Sequence, residues 1–329
     1  MPRYKIALCV VSYNGANDLP ACLESIRAQS FSDFQLVVVD NASSDESVQI
    51  AQRVVPDARL ITLSQNLGFT GGYNTAIRAT DAEYVVVVNQ DARLVTDFCE
   101  RVVMFFDAHP EVGSVNPQVL RTSQDLLTNE AEEVTIDTCG LKLSRRHRFE
   151  NIGEGALPET ELTSREIWGV CAAVAVYRMS ALADVAEGVA TAPQYFDEDF
   201  FMYQEDIDLA YRLKWRGWQA WYLADLVAYH GRTRKSGAPR TNQQINYWSY
   251  RNHWYVLIKN LSVGMLMYCF LDIVWYEFLK LLYRGVWERG WFREFGDIWT
   301  HRAQLMQKRR YILEHRTIED IDMYAYVID

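Results

Sequence analysis

The run Tyr84-Val85-Val86-Val87-Val88 stops at Asn89-Gln90-Asp91, and that stop constrains the chain more than any other feature. Four consecutive valines behind a tyrosine suit a strand buried on both faces, as in a parallel sheet. A carboxylate at the carboxyl end of such a strand stands at the edge where open α/β sheets bind ligands. Asp91 is also an oxygen ligand suited to a hard divalent cation, and such cations accompany phosphates. Taken alone, it reads more simply as an Asp that caps the next turn.

The surrounding pattern extends the strand into a fold. Lys5–Ser12, Phe34–Asp40, Arg59–Leu63, Tyr84–Asn89 and Val112–Asn116 read as strands. Between them lie helical patterns: one carrying Leu19, Cys22, Leu23 and Ile26, then Ser44–Val55, Gly71–Ala79 and Asp97–Ala108. This β-α alternation predicts a Rossmann-like, mostly parallel doubly wound sheet flanked by helices. Residues 121 to 165 are polar with poor periodicity, which predicts a long excursion with a short hairpin. Trp168–Tyr177 and Trp218–Ala228 read as strands and Asp206–Arg216 as a helix. From Asn242 to about Tyr283, and again over His301–His315, the pattern is helical. The expected division is a catalytic unit over 1–240, with halves about 1–120 and 121–240, and a helical extension over 241–329. No internal repeat is evident.

Composition limits the function. The chain has 329 residues and a net charge of -10, which argues against a nucleic-acid partner. Its six cysteines form no CxxC pair, so no zinc site or disulfide framework is implied, and reduced thiols in the cytoplasm are the simplest reading. The apolar stretch Ile6–Val11 is too short for a signal peptide.

Five segments carry candidate chemistry. Ser12-Tyr13-Asn14-Gly15 ends the first strand without the GxGxxG of a dinucleotide site, and no P-loop exists. Asp40 ends the second strand, where it can accept the N–H of a pyrimidine base or simply bond its own turn. Asn66-Leu67-Gly68-Phe69-Thr70-Gly71-Gly72 allows close backbone approach to a ligand and free helix N-terminal amides; a tight turn would explain one glycine. Residues 197–208 hold six acids among Phe, Met and Tyr, and Asp206 opens a helix whose dipole keeps it ionised as a proton acceptor. The plainer reading makes Glu205 and Asp206 helix-start charges. His230 precedes Gly231-Arg232-Thr233-Arg234-Lys235, a loop able to hold a diphosphate or to lie idle on the surface.

Taken in order, these segments resemble the family 2 inverting glycosyltransferases of GT-A fold, especially their bacterial rhamnosyltransferase-like branch. The likeness covers roughly residues 6 to 260 and includes Asn89-x-Asp91, Phe-Met-Tyr-x-Glu205-Asp206-x-Asp208, Arg251-Asn252 and Lys259-Asn260. It implies that Asp40 binds the nucleotide base, with Ser12, Tyr13 and Asn14 lining that pocket. Asn66, Gly71, Gly72, Asn89, Asp91, His230 and Arg232 would complete the donor site. Asp91 and His230 would hold a divalent cation, Mg2+ or Mn2+; Asn89 replaces the first carboxylate of a DXD motif, which implies one-carboxylate binding. Asp206 would be the catalytic base, with Glu205 and Trp168 facing the acceptor. The implied reaction is sugar transfer by direct displacement, with rhamnose from dTDP-rhamnose the first expectation and a UDP-hexose the alternative. The acceptor would be a cell-envelope glycan, free or lipid-linked. A sugar nucleotidyltransferase would want a Gly-rich basic loop where Ser-Tyr-Asn-Gly stands; a non-enzymatic nucleotide-sugar sensor would not need Asp206.

The last segment is amphipathic. Asp272, Glu277 and Lys280 interrupt the apolar Ser262–Tyr283, and its charge-free run Leu261–Leu271 is too short to span a bilayer. Between Arg284 and Arg316 stand eight Lys and Arg against four acids, interleaved with Trp287, Trp291, Phe292 and Trp299. Such a surface fits peripheral contact with an anionic membrane, packing on the catalytic unit, or a homo-oligomer seam.

Overall fold

The computed structural model describes residues 2–121, 134–231, 243–287 and 292–328. The first part alternates as expected: β1 (Tyr4–Ser12), α1 (Leu19–Arg27), β2 (Phe34–Asp40), α2 (Ser47–Val54), β3 (Arg59–Thr62), α3 (Gly68–Arg78), β4 (Ala82–Asn89), β5 (Ala92–Leu94), α4 (Phe98–Ala108) and β6 (Val112–Arg121). Then come β7 (Thr135–Thr138), the hairpin β8 (Leu141–Ser144) and β9 (Phe149–Asn151), β10 (Arg165–Ile167), β11 (Val174–Arg178) and α5 (Met179–Asp184). A small ribbon, β12 (Glu187–Val189) and β13 (Ala192–Gln194), leads to α6 (Glu205–Trp215) and β14 (Gln219–His230). The chain closes with α7 (Gln243–Asn260), α8 (Val263–Trp287), α9 (Arg293–Glu314), α10 (Asp320–Tyr324) and β15 (Val327–Ile328).

The central sheet has ten strands in the order β10-β14-β6-β11-β4-β1-β2-β3, with β5 on β14 and β7 on β6. Strands β3, β2, β1, β4, β6 and β14 run one way, and β11, β10, β5 and β7 run against them. The valine run fills both faces, as its lack of alternation requires. Val86 and Val88 pack with Leu19, Leu23 and Phe98 on one side, and Val85 and Val87 with Tyr73, Ile77 and Leu182 on the other.

A third cluster joins α6 to the helical extension through Trp168, Tyr211, Trp215, Tyr255 and Met265. Strand β15 then pairs with β8, Val327 opposite Leu143, so the end of the chain is stitched to the hairpin.

Several expected boundaries move. Helix α3 starts at Gly68 rather than Gly71, because Asn66 Oδ1 accepts the Gly68 amide at 2.8 Å and starts the turn early. The 121–165 excursion is more structured than its periodicity suggests, since its strands are short and pair on other elements. The expected strand over Trp168–Tyr177 is regular only in Val174–Arg178. Strand β14 runs on to His230, and α9 begins at Arg293, ahead of the expected His301.

Candidate active site

Parallel register assembles the nucleotide end. Ser12 lies opposite Asp40 and Val11 opposite Asn89, so β1, β2 and β4 end together at one edge. Ser12 and Asp40 are 1% and 4% exposed. Asp40 Oδ2 accepts the Ser43 amide at 3.1 Å, while Asp40 Oδ1 and Ser12 Oγ are buried with no hydrogen-bond partner. Orphaned buried acceptors are costly, and a ligand N–H would satisfy Asp40 Oδ1. Asn14, at φ 51, uses its side chain to accept the Ser44 amide at 2.8 Å. Exposed Tyr13 is held through its amide by Gln90 Oε1 at 2.9 Å. Asn41, beside Asp40, donates to Gly68 O at 2.9 Å and accepts the Leu67 amide at 2.8 Å, tying β2 to the Asn66 turn.

The phosphate end is built by antiparallel pairing. Strand β5 lies on β14 with His230 opposite Ala92, next to Asp91. His230 Nε2 is 3.2 Å from Asp91 Oδ1, and its Nδ1 is 2.9 Å from Asp137 Oδ2. Asp137 is fully buried on β7 and its other oxygen accepts Arg121 at 3.0 Å. Burial alone pulls His230 down; hydrogen bonds to Asp137 and Asp91 overcome it and push it up to about 9. A carboxylate behind a histidine fixes which nitrogen faces outward, the arrangement that metal-binding imidazoles use. The donor set of Asp91 and His230 therefore fits a divalent cation once Nε2 sheds its proton. Asn89 takes no part in that pair: its Oδ1 accepts the Tyr73 hydroxyl at 3.3 Å.

The candidate base sits beside this edge. Asp206, in the first turn of α6, accepts the Ile207 amide at 2.9 Å and the Ala172 amide at 3.3 Å. The next residue, Ala173, accepts the Asn89 amide at 3.0 Å, so one short segment links Asp206 to the end of β4. Burial raises the Asp206 carboxyl against those two amides, which makes it a stronger base than an exposed Asp. Glu205 is 6% exposed and rises well above the carboxylate range through burial and then the neighbouring Asp206. Its carboxyl is buried in the same first turn of α6 as Asp206.

The turn before α6 is strained. Phe201, Tyr203 and Gln204 have φ of 63, 68 and 68, a region that only glycine adopts readily. Asn252 of α7 holds it there, donating to the carbonyls of Phe200, Met202 and Tyr203 at 2.8–2.9 Å. Arg251 adds bonds to the carbonyls of Asp199 and Phe200. Asn252 was legible only as half of a dipeptide; its work lies across the fold.

Among the described residues, one trio of acids converges closely enough to ligate an ion: Glu187, Asp197 and Asp208. It already holds an ammonium. Lys259 Nζ lies 2.6 Å from Glu187, 2.6 Å from Asp197 and 3.0 Å from Asp208, and Lys308 and Arg212 join the cluster. Asp197 is held far below the usual carboxylate range by the two lysines despite its burial. This is a brace rather than a metal site.

Other expectations need correction. Gly71 and Gly72 lie inside α3, not at a free N-terminus. A Cβ at Gly72 would come within 2.7 Å of Val11, and one at Gly71 within 2.6 Å of Leu67, so both glycines serve packing. Trp168 is 3% exposed, packed edge-on against Tyr211, and is no acceptor platform. Asn66 is exposed, and its Oδ1 accepts the Gly68 amide in the turn that leads into α3. Arg232 and the loop after it lie outside the described residues. Three of the eight C-terminal cations are paired with acids: Lys308 in the brace, Arg284 with Glu294 at 2.6 Å, and Arg316 with Glu319 and Asp320.

The comparisons agree with this geometry. A model of the Glycosyl transferase family 2 matches residues 7–184, more than half of the chain, and the protein belongs to that family. It is a glycosyltransferase. An N-acetylglucosaminyl-diphospho-decaprenol L-rhamnosyltransferase of Mycobacterium tuberculosis is 22% identical over 254 residues, covering 70% of this chain and 78% of that protein. A teichoic acid poly(glycerol phosphate) polymerase of Staphylococcus epidermidis is 30% identical over 94 residues, but the match spans only 27% of this chain and 13% of the polymerase. Among solved structures, S. aureus TarS 1-349 in complex with UDP-GlcNAc is similar over 94% of this chain and 90% of its own, with TM-score 0.57 and 16% identity. The mannosyltransferase PcManGT from Pyrobaculum calidifontis, with GDP-Man and Mn2+, is similar over 95% and 85%, with TM-score 0.54 and 16% identity. These establish the shared GT-A fold, a central sheet flanked by helices with a C-terminal helical region.

Proposed function

We propose that the chain transfers a sugar from a nucleotide diphosphate donor to an acceptor hydroxyl with inversion at the anomeric carbon. The observation that carries this is the proximity of two unlike sites: the Asp91–His230 pair at the end of β4 and β14, and the buried, basic Asp206 tied to the same edge through Ala172 and Ala173. Asp40 and Ser12 would take the base, and Asp91 and His230 would hold the cation. A bound cation supplies charge neutralisation to the departing diphosphate. The imidazole ligand favours Mn2+ over Mg2+. Asp206 takes the acceptor proton as the hydroxyl attacks from the face opposite the leaving group. No enzyme nucleophile is needed, so positioning and electrostatics carry the rate.

The rhamnosyltransferase relative supports a dTDP-rhamnose donor and a lipid-linked glycan acceptor in cell-envelope synthesis. The UDP-GlcNAc complex of the structural neighbour supports a UDP-hexose as the second reading. Among the described residues no helix is long and apolar enough to cross a membrane. A cytoplasmic enzyme resting on the inner membrane face through its helical extension fits the exposed apolar residues of α8. The test incubates the protein with Mn2+ and a panel of dTDP-, UDP- and GDP-sugars and measures nucleotide release. Release from one donor, lost with chelator, is expected; no release from any donor would overturn the reading.

A further inference from the structure

Where the hairpin β8–β9, helix α7 and helix α8 meet, a cavity of about 270 Å³ opens beside Gln204, just before the catalytic turn. Its charged lining is cationic: Arg148 from the hairpin and Lys280 and Arg284 from α8, with no carboxylate on the wall. His253 also lines it and is pulled down by burial toward its neutral form. Two of the cations are pre-set. Arg284 is held by Glu294 at 2.6 Å and stacks 3.9 Å over the Tyr250 ring, and Lys280 lies 4.7 Å over the same ring. Glu277 and Glu294, which pair with Lys280 at 3.9 Å and with Arg284 at 2.6 Å, are not among the lining residues. Arg148, 59% exposed, reaches only a weak 3.6 Å contact with Glu150. Tyr276, Ser249 and Gln204 add polar groups, and Gln204 Oε1 is buried with no hydrogen-bond partner. Arg148 and Lys280, with Arg284 already paired to Glu294 beside them, give the hollow a cationic wall that fits a phosphate or diphosphate.

What lies alongside narrows the ligand. Helix α8 spans 25 residues. Its exposed residues are apolar in the middle of the helix, where Met267, Phe270, Leu271, Val274, Trp275 and Phe278 form a stripe, and Asp272 within that stretch is paired with Arg145. The stripe borders the cationic line, since Leu279 and Tyr283 immediately precede Lys280 and Arg284 on the helix and are both exposed. Exposed Arg146 continues the cationic edge along the hairpin, beside Lys142 paired with Glu150 and Arg145 paired with Asp272. In a chain of net charge -10 this local pairing of an apolar stripe with a cationic edge complements an anionic headgroup region over acyl chains.

We propose that this cavity seats the diphosphate of a lipid-linked acceptor, its tail lying along the apolar stripe of α8 and its sugar reaching Asp206 past Gln204. The assignment rests on the glycosyltransfer reading for its sugar end, and on the cavity alone for its phosphate end. It gives the C-terminal helices a second task besides bracing α6: they select an acceptor by its anionic linkage.

The test compares the Arg148→Ala, Lys280→Ala double variant with wild type on two acceptors bearing one sugar, a prenyl diphosphate conjugate and an uncharged alkyl glycoside. Both substituted side chains are at the rim and outside the donor site. The KM for the diphosphate acceptor is expected to rise about tenfold or more, with the KM for the alkyl glycoside and donor binding unmoved. Equal effects on both acceptors, or none on either, would overturn the proposal. A binding arm needs no turnover: farnesyl diphosphate is titrated into wild type in excess chelator, against farnesol and inorganic diphosphate. Tight binding of farnesyl diphosphate, weaker binding of the other two, and loss in the double variant are expected. Absence of farnesyl diphosphate binding overturns the cavity assignment even with transfer intact. Loss of transfer with every donor, but retained binding, would instead overturn the functional reading and leave the cavity assignment supported.

Discussion

Asp137 holds His230 by its Nδ1 at 2.9 Å and thereby points Nε2 at Asp91. The relationship crosses from β7 to β14, strands that each lie against β6. Asp137→Asn keeps the shape but weakens the charge behind the ring. Loss of such a backing partner costs on the order of ten- to a hundredfold in metal affinity. Calorimetric titration of Mn2+ in the presence of nucleoside diphosphate measures it; unchanged affinity would remove His230 from the cation site.

Asp206→Asn is expected to lower kcat on the order of a hundred- to ten-thousandfold with donor binding intact. The pH dependence has a defined sign. Burial raises the Asp206 carboxyl above its unfolded value. Stability from this group is therefore greatest at acid pH and falls as pH rises through the raised value, while activity rises over the same interval as the base deprotonates. An acid limb of kcat/KM at the ordinary Asp position, or one that persists in the Asn variant, would assign the limb to another group.

Asn252→Ala removes the donor to three carbonyls of a strained turn. Phe200 O keeps a bond from Arg251 and the bonds to Met202 and Tyr203 are only part-buried, so the loss is about 1–3 kcal/mol in all. Urea unfolding should show a loss at the upper end of that range, and kcat should fall more than donor affinity, since the turn positions Asp206. A variant with full kcat would mean that α6 places its acid without help from α7.

Lys259→Met removes the ammonium shared by Glu187, Asp197 and Asp208 and leaves Lys308 and Arg212 as their remaining cations. Removing one partner of a buried ionic cluster costs about 3–5 kcal/mol. The defect should shrink as pH falls and the carboxylates gain protons, so the stability gap to wild type narrows from pH 8 toward pH 5. A gap that does not change with pH would point to lost packing rather than uncompensated charge.

The sheet edge was legible because strand ends announce themselves. Ser12, Asp40 and Asp91 each follow a run of branched residues, and parallel register then brings them together. His230 was legible as a strand end, but its meeting with Asp91 needed the antiparallel β5–β14 pair, which no local pattern encodes. Asp137 was hidden because its strand is four residues long and its partners are distant in sequence. Gly71 and Gly72 misled because spacing does not reveal where a helix begins; the Asn66 turn moved that start. The cationic tail left packing, membrane contact and a subunit seam open for a related reason. Whether a lysine is spent depends on acids a hundred residues away, as Lys308 with Asp197 shows.

The brace around Asp197 and Asp208 also imposes an order of events on the growing polypeptide. The acids leave the ribosome with α6 and the segment before it, whereas their counter-charges, Lys259 and Lys308, emerge with α7 and α9. Until those helices arrive, Asp197 and Asp208 lack the lysines that pair with them. The charge balance beside the turn that carries Asp206 is therefore completed only late in synthesis, once α7 and α9 have emerged.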